Sequence, residues 1–164
     1  MSKYVKHNQN PFGKVIGDCV VRSLSLGLGI PYEKICDDMG KGFKDGEGLI
    51  GDITLNDISN FSKKTGLLKP LKFDNAFFDY VYRGKDYEPK YTWPTLRDFA
   101  DSNRGKYIVL VRRSDVDMTH EYAREVFKIT FHVIYVNGDK KEYYDNMNSD
   151  PGDMTIYGVF RIKS

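Results

Sequence analysis

The chain holds two cysteines and three histidines. The stretch GDCVVRSLSLGLG (17–29) sets one of the cysteines, Cys19, between an acidic residue and the first turn of an apolar segment. A thiol there is suited to nucleophilic attack, because the partial positive charge and unpaired N–H groups of a helix start favour the thiolate. The same N–H groups can receive an oxyanion during acyl transfer, and a side-chain amide from Asn8, Gln9 or Asn10 could add a second donor. Such a nucleophile also needs an imidazole to move its proton and an oxygen to orient the ring. His132 lies in the apolar run FKITFHVIYV (127–136), and Asp145 and Asn146 close the segment KEYYDN that follows. Alone, a strand histidine flanked by apolar residues is a packed side chain bonded to a backbone carbonyl. A carboxylate or amide one hairpin away gives it a second role, since that oxygen can fix the tautomer and stabilise the imidazolium.

These residues need a frame. Residues 1–16, with Asn8, Asn10, Pro11 and Gly13, read as an extended lead-in. From Asp18, a suitable N-cap, to about Gly27, the positions Val20, Val21, Leu24 and Leu28 fit a helix that stops at the glycines. Pro31 opens a second helix, PYEKICDDMGKGF, with Ile35, Met39 and Phe43 near one face and Gly40 weakening its end. KDGEGLIGD (44–52) reads as a loop, and Thr54 caps a third helix carrying Leu55, Ile58 and Phe61 and ended by Gly66. LLKPLKF and FFDYVYR read as short strands or packed irregular segments. Thr95 with Asp98 suggests a capping box for the helix PTLRDFADSN, closed by Gly105. KYIVLVRR (106–113) and FKITFHVIYV are buried strands. The second places Thr130, His132, Ile134 and Val136 on one face, and Phe131, Val133 and Tyr135 on the other. Asn137-Gly138 turns the chain back into KEYYDN, and MTIYGVFRI is the last strand. Helices first and an antiparallel sheet second is the pattern of an α+β fold, expected as a single domain over residues 1–164.

Composition narrows the setting. Lysine plus arginine number 25 against 23 aspartates and glutamates, a net charge of +2, and no basic run stands out, so no nucleic-acid partner is expected. No apolar run approaches the roughly 20 residues of a membrane span, which predicts a soluble protein with no membrane association. Two cysteines make no disulfide framework, and the start of the chain lacks a charged-then-apolar leader; a reducing, cytoplasmic setting follows as the expectation. Aromatic residues are 14% of the chain, fitting a sheet-rich core or an aromatic groove. Cys36, in KICDDM, reads as helix packing. His7 reads as exposed, and His120, in SDVDMTHEYAREVF, as part of a charged loop, lid or partner surface. The cysteines and histidines lack the paired short spacings of a zinc site, and Asp115 and Asp117 lack calcium-loop spacing, so no metal and no cofactor are expected. Tyr91 and Trp93 read as seals over the core.

Three segments carry a resemblance: NPFGKVIGDCVVRSLSLGLGIPYEKI, PTLRDFADSNRGKYIVLV and FHVIYVNGDKKEYYDN. In the order of an early cysteine opening a helix, a late strand histidine and a carboxylate or amide one hairpin on, the chain resembles the papain-like cysteine peptidase superfamily. More closely, it is similar to small, mostly uncharacterised papain-like proteins of bacteriophages and bacteria. The resemblance implies helices carrying Cys19, an antiparallel sheet carrying His132, and an active cleft between them. Cys19 matches the nucleophile, His132 the general base and Asp145 the orienting residue, with Asn146 as substitute and Asn10 as the candidate oxyanion donor. It implies hydrolysis of a peptide or isopeptide bond in a protein substrate by a monomer, in the host cytoplasm if phage-encoded. Two alternatives share the scaffold: a weak or inactive form that binds and inhibits a host protein, and an acyl transferase. The chain departs from the papain and cathepsin pattern in lacking the C-G-[SA]-C-[WY] signature. Cys19 and His132 are also only 113 positions apart, and Gly13 stands where the superfamily's oxyanion glutamine usually lies.

Overall fold

The computed structural model describes residues 1–118, 122, 124, 125 and 132–163. Within them the chain runs β1 (Lys3–Lys6), α1 (Cys19–Leu28), α2 (Tyr32–Asp38), β2 (Gly42–Lys44), β3 (Gly48–Ile50), α3 (Leu55–Thr65) and β4 (Leu68–Phe73). It continues through α4 (Asn75–Arg83), α5 (Leu96–Ser102), β5 (Lys106–Arg112), β6 (His132–Asn137), β7 (Glu142–Asp145) and β8 (Thr155–Ile162). The segment expected as the start of a strand at 127–131, and His120, lie outside the described residues.

Six strands form one sheet in the order β1-β7-β6-β5-β8-β4, and β2 and β3 form a separate hairpin. The fold is α+β, but the large sheet is mixed where an antiparallel one was expected. The lead-in supplies the difference: β1 lies parallel to β7, pairing Lys6 with Asp145. Apart from that edge, every pairing in the sheet is antiparallel.

Alternation along β5 and β6 explains why their sequences are almost wholly apolar. Ile108, Leu110, Val133 and Tyr135 enter a core shared with α1 to α4, while Val109, Val111, Ile134 and Val136 enter a second core covered by Leu96, Phe99 and Ala100 of α5. A sheet covered on both faces has no solvated face to carry polar residues.

Helix α1 presents Val20, Val21 and Leu24 to the first core, and the Ser23 hydroxyl donates to the Val133 carbonyl at 3.3 Å, docking the helix on β6. Three expectations need correction. FFDYVYR is the helix α4: Phe77, Tyr80 and Val81 are buried at helical spacing, and Asp74 caps the start by accepting from the Phe77 N–H. Its apparent alternation comes from Phe78 and Tyr82, which stack four residues apart on the helix surface. Phe43 belongs to β2, because α2 ends at Asp38 and Gly40 turns the chain with a φ of 69°. KDGEGLIGD is half a hairpin, β2 against β3. The Asn137-Gly138 signal does mark a turn, with Asn137 paired to Glu142 and Gly138 to Lys141 between them. A Cβ on Gly138 would stand 1.7 Å from the Asn103 carbonyl oxygen, so only glycine fits against that loop.

Candidate active site

Cys19 is the first residue of α1, His132 the first described residue of β6, and Asp145 the last of β7. Docking α1 on β6 and folding β7 back beside β6 brings the three together. His132 Nε2 and Asp145 Oδ2 are 2.6 Å apart. The Cys19 side chain hydrogen-bonds the same imidazole. With Nε2 turned to the carboxylate, Nδ1 is the nitrogen left for the thiol.

The ring is partly buried, with its side chain 23% exposed. Burial alone would push it down; the Asp145 carboxylate and the negative charge available at Cys19 reverse that and raise it from 6.5 to about 9. Asp145 moves the opposite way. Burial raises it, but the hydrogen bond and charge of His132, with Arg22 and the Asn146 N–H behind them, hold it below the usual carboxylate range.

Arg22 was not among the residues singled out by sequence. It is 6% exposed and joins two buried carboxylates, with Nε donating to Asp18 Oδ1 at 2.6 Å and Nη1 to Asp145 Oδ1 at 3.0 Å. Both acids raise the already high Arg22 guanidinium against the effect of burial. The signal was present: an arginine inside VVRSL, four positions after an acid, has no apolar role on a helix face that packs. Asp18 does occupy the N-cap position, yet its carboxylate makes no cap hydrogen bond to the helix. It bonds Arg22, the Tyr32 hydroxyl at 2.7 Å and the Asn10 amide at 3.0 Å. The first turn of α1 is therefore not closed by its own cap side chain.

Asn10 is buried, but it is placed differently from the oxyanion expectation. Its two amide hydrogens are directed to Asp18 Oδ2 and to the Glu47 carbonyl, both at 3.0 Å, and its Oδ1 accepts from the Phe12 N–H. Asn10 holds Asp18, and through it Arg22. Gly48 makes room for this arrangement, since a Cβ there would stand 2.8 Å from both Asn10 Nδ2 and Tyr32 Oη. Gln9 donates to Ser25 Oγ, and Asn8 to the Lys14 carbonyl. Asn146 reaches the site through its backbone N–H, which donates to Asp145 Oδ1 at 2.8 Å; the oxygen at His132 is that of Asp145.

The lead-in braces the same carboxylate residue. The His7 N–H and the Tyr4 hydroxyl both donate to the Asp145 carbonyl, at 2.8 and 3.0 Å. On another side stands an aromatic group. Tyr157 is buried against Phe77 with centroids 4.5 Å apart, and burial, Tyr82 and the Cys19 charge all raise its hydroxyl.

The remaining chemical candidates lie elsewhere. Cys36 is fully buried. His7 is exposed and bonded to Gln9. Trp93 is buried in the second core beside a half-exposed Tyr91. Asp115 pairs with Arg113 at 2.7 Å. Among the described residues no group of three or more His, Cys, Asp or Glu side chains is placed to hold a metal ion, and no helix is long and apolar enough to cross a membrane. No protein-family model matches the chain, and neither a curated protein nor a solved structure does.

Proposed function

We propose that the chain is a small papain-like cysteine hydrolase that cleaves a peptide or isopeptide bond through an acyl-enzyme. The observation that carries this reading is the hydrogen-bonded line from Cys19 through His132 to Asp145, in which the imidazole is raised to about 9 and so carries its proton at neutral pH. Cys19 attacks the substrate carbonyl carbon, and the oxyanion that forms is received by N–H groups in the first turn of α1. His132 then delivers its proton to the departing amine, the C–N bond breaks, and the acyl group stays on sulfur. Water attacks this thioester while His132 takes one of its protons, and the thiolate leaves. Asp145 keeps Nε2 protonated and the ring in line, and Arg22 and β1 keep Asp145 in place.

A second reading has its own support. The Asn10 amide, the expected oxyanion donor, is committed to Asp18 and Glu47, which favours a scaffold that binds a host protein with little turnover. Both readings place the chain in a reducing cytoplasm. One experiment separates them. A thiol-directed electrophile at pH 7 labels Cys19 far faster than Cys36 in the hydrolase reading, and His132→Ala removes most of that preference. Equal, slow labelling of both cysteines in the native protein discards the hydrolase.

A further inference from the structure

The far end of α1 is not used by the Cys19 site. The helix has 10 residues, which at 1.5 Å each separate its ends by roughly 15 Å. Around Gly27 and Leu28 lies a pocket of about 790 Å³, with Ile30, Leu67 and Ile162 completing its apolar side. Gly27 shapes it. A Cβ there would stand 2.7 Å from Ile162 Cδ1 and 2.9 Å from Tyr135 Cδ1, so glycine lets the helix end rest directly on the sheet.

Five cations border this pocket: Lys69 from β4, Arg104 from the turn before β5, Lys106 from β5, Arg161 from β8 and Lys163 just after it. One carboxylate accompanies them, Asp139, and its Oδ1 accepts the Gly105 N–H at 3.0 Å. Among the described residues none of the five cations has a carboxylate at ion-pair distance; Arg161 lies over the Tyr107 ring at 6.0 Å instead. Elsewhere on the surface Lys41 pairs with Asp57, Arg97 with Asp150 and Arg113 with Asp115. In a chain whose net charge is only +2, the pocket gathers five cations against the single carboxylate of Asp139 and so concentrates positive potential.

We propose that this pocket binds a small polyphosphate ligand of the nucleoside triphosphate type, with its phosphates among the five cations and its base on the apolar floor. The volume falls within the roughly 300–1,000 Å³ of small-molecule sites. The cations surround a concavity, whereas a nucleic-acid backbone follows an extended basic stripe. Leu28, Ile30, Leu67 and Ile162 give a flat base a surface that bare phosphate has no use for. The site is independent of the hydrolase reading.

Titration calorimetry of the full chain with ATP and with inorganic triphosphate tests it. ATP binds saturably at one site, triphosphate binds more weakly, and ATP affinity drops about tenfold when salt is raised from about 50 to 200 mM. The double variant Lys69→Glu/Lys163→Glu weakens ATP about a hundredfold, roughly tenfold for each charge-assisted hydrogen bond that is removed. Lys3→Glu/Lys63→Glu makes the same charge change on β1 and α3, outside the pocket, and leaves ATP binding within about twofold. Four results overturn the proposal: no saturable ATP binding, an affinity indifferent to salt, equal weakening by both double variants, or a short oligonucleotide displacing ATP with much higher affinity. Matching urea midpoints for the two variants exclude misfolding as the cause.

Discussion

The two thiols of this chain sit on consecutive helices, and their surroundings are opposite in kind. Cys36 is enclosed within the core under α2, where burial and the negative charge of Asp18 push it up to about 11. Cys19 is partly exposed at the first turn of α1 and bonded to an imidazole that carries a proton at neutral pH. Both thiols stand on helices, but Cys19 opens α1, where the helix start favours the thiolate, and Cys36 lies in the second half of α2. The rest of the difference comes from His132 and Asp145, more than a hundred positions down the chain, and from Arg22, which holds the carboxylate. The setting of each thiol is a tertiary property, and the helix start at Cys19 acquires its imidazole and carboxylate only when the distant strands are delivered.

The comparison can be broken in steps of decreasing size. Cys19→Ala abolishes turnover of any peptide substrate found, by on the order of 10⁴-fold or more, while Cys36→Ala keeps it; steady-state kinetics on the two variants decides this. Arg22→Met leaves the carboxylates of Asp18 and Asp145 buried without their shared cation, and urea unfolding should show a loss of about 3–5 kcal/mol. Protonation supplies a smaller effect. His132 is raised in the folded chain, so its contribution to stability is complete below its ordinary value near 6.5 and is lost as pH rises through about 9. Asp145 is lowered, so its contribution is present above the ordinary carboxylate range and is lost only in acid. Unfolding midpoints of the wild type therefore fall between about pH 6.5 and 9, and His132→Gln flattens that decline. Cys36→Ala, which removes one buried sulfur, costs about 1 kcal/mol by the same urea measurement and leaves Cys19 labelling unchanged.

What the sequence disclosed follows a physical boundary. Cys19, His132 and Asp145 were legible because each is marked locally: a helix start after glycine and aspartate, an apolar strand, a turn at Asn137-Gly138. The strands at 106–112 and 155–162 were legible for the same reason. Parallel pairing of β1 with β7 was not, since Lys3–Lys6 carries no local signal for a partner some 140 residues away. Helix α4 was hidden because four aromatics in FFDYVYR satisfy period two and period 3.6 equally well. Asn10 was assigned by its nearness to Cys19 along the chain, but the amide turns toward Asp18 and the β3 end of the hairpin, a choice made by the space over Gly48.

The clamp on Asp145 also sets an order of events. Its carboxylate is held by Arg22, and its backbone by Tyr4 and His7, so both sides of the brace are synthesised long before the residue they grip. A growing chain on the ribosome therefore displays the Cys19 thiol for most of its synthesis with neither base nor carboxylate. The assembled trio of Cys19, His132 and Asp145 has to wait for the last quarter of the polypeptide.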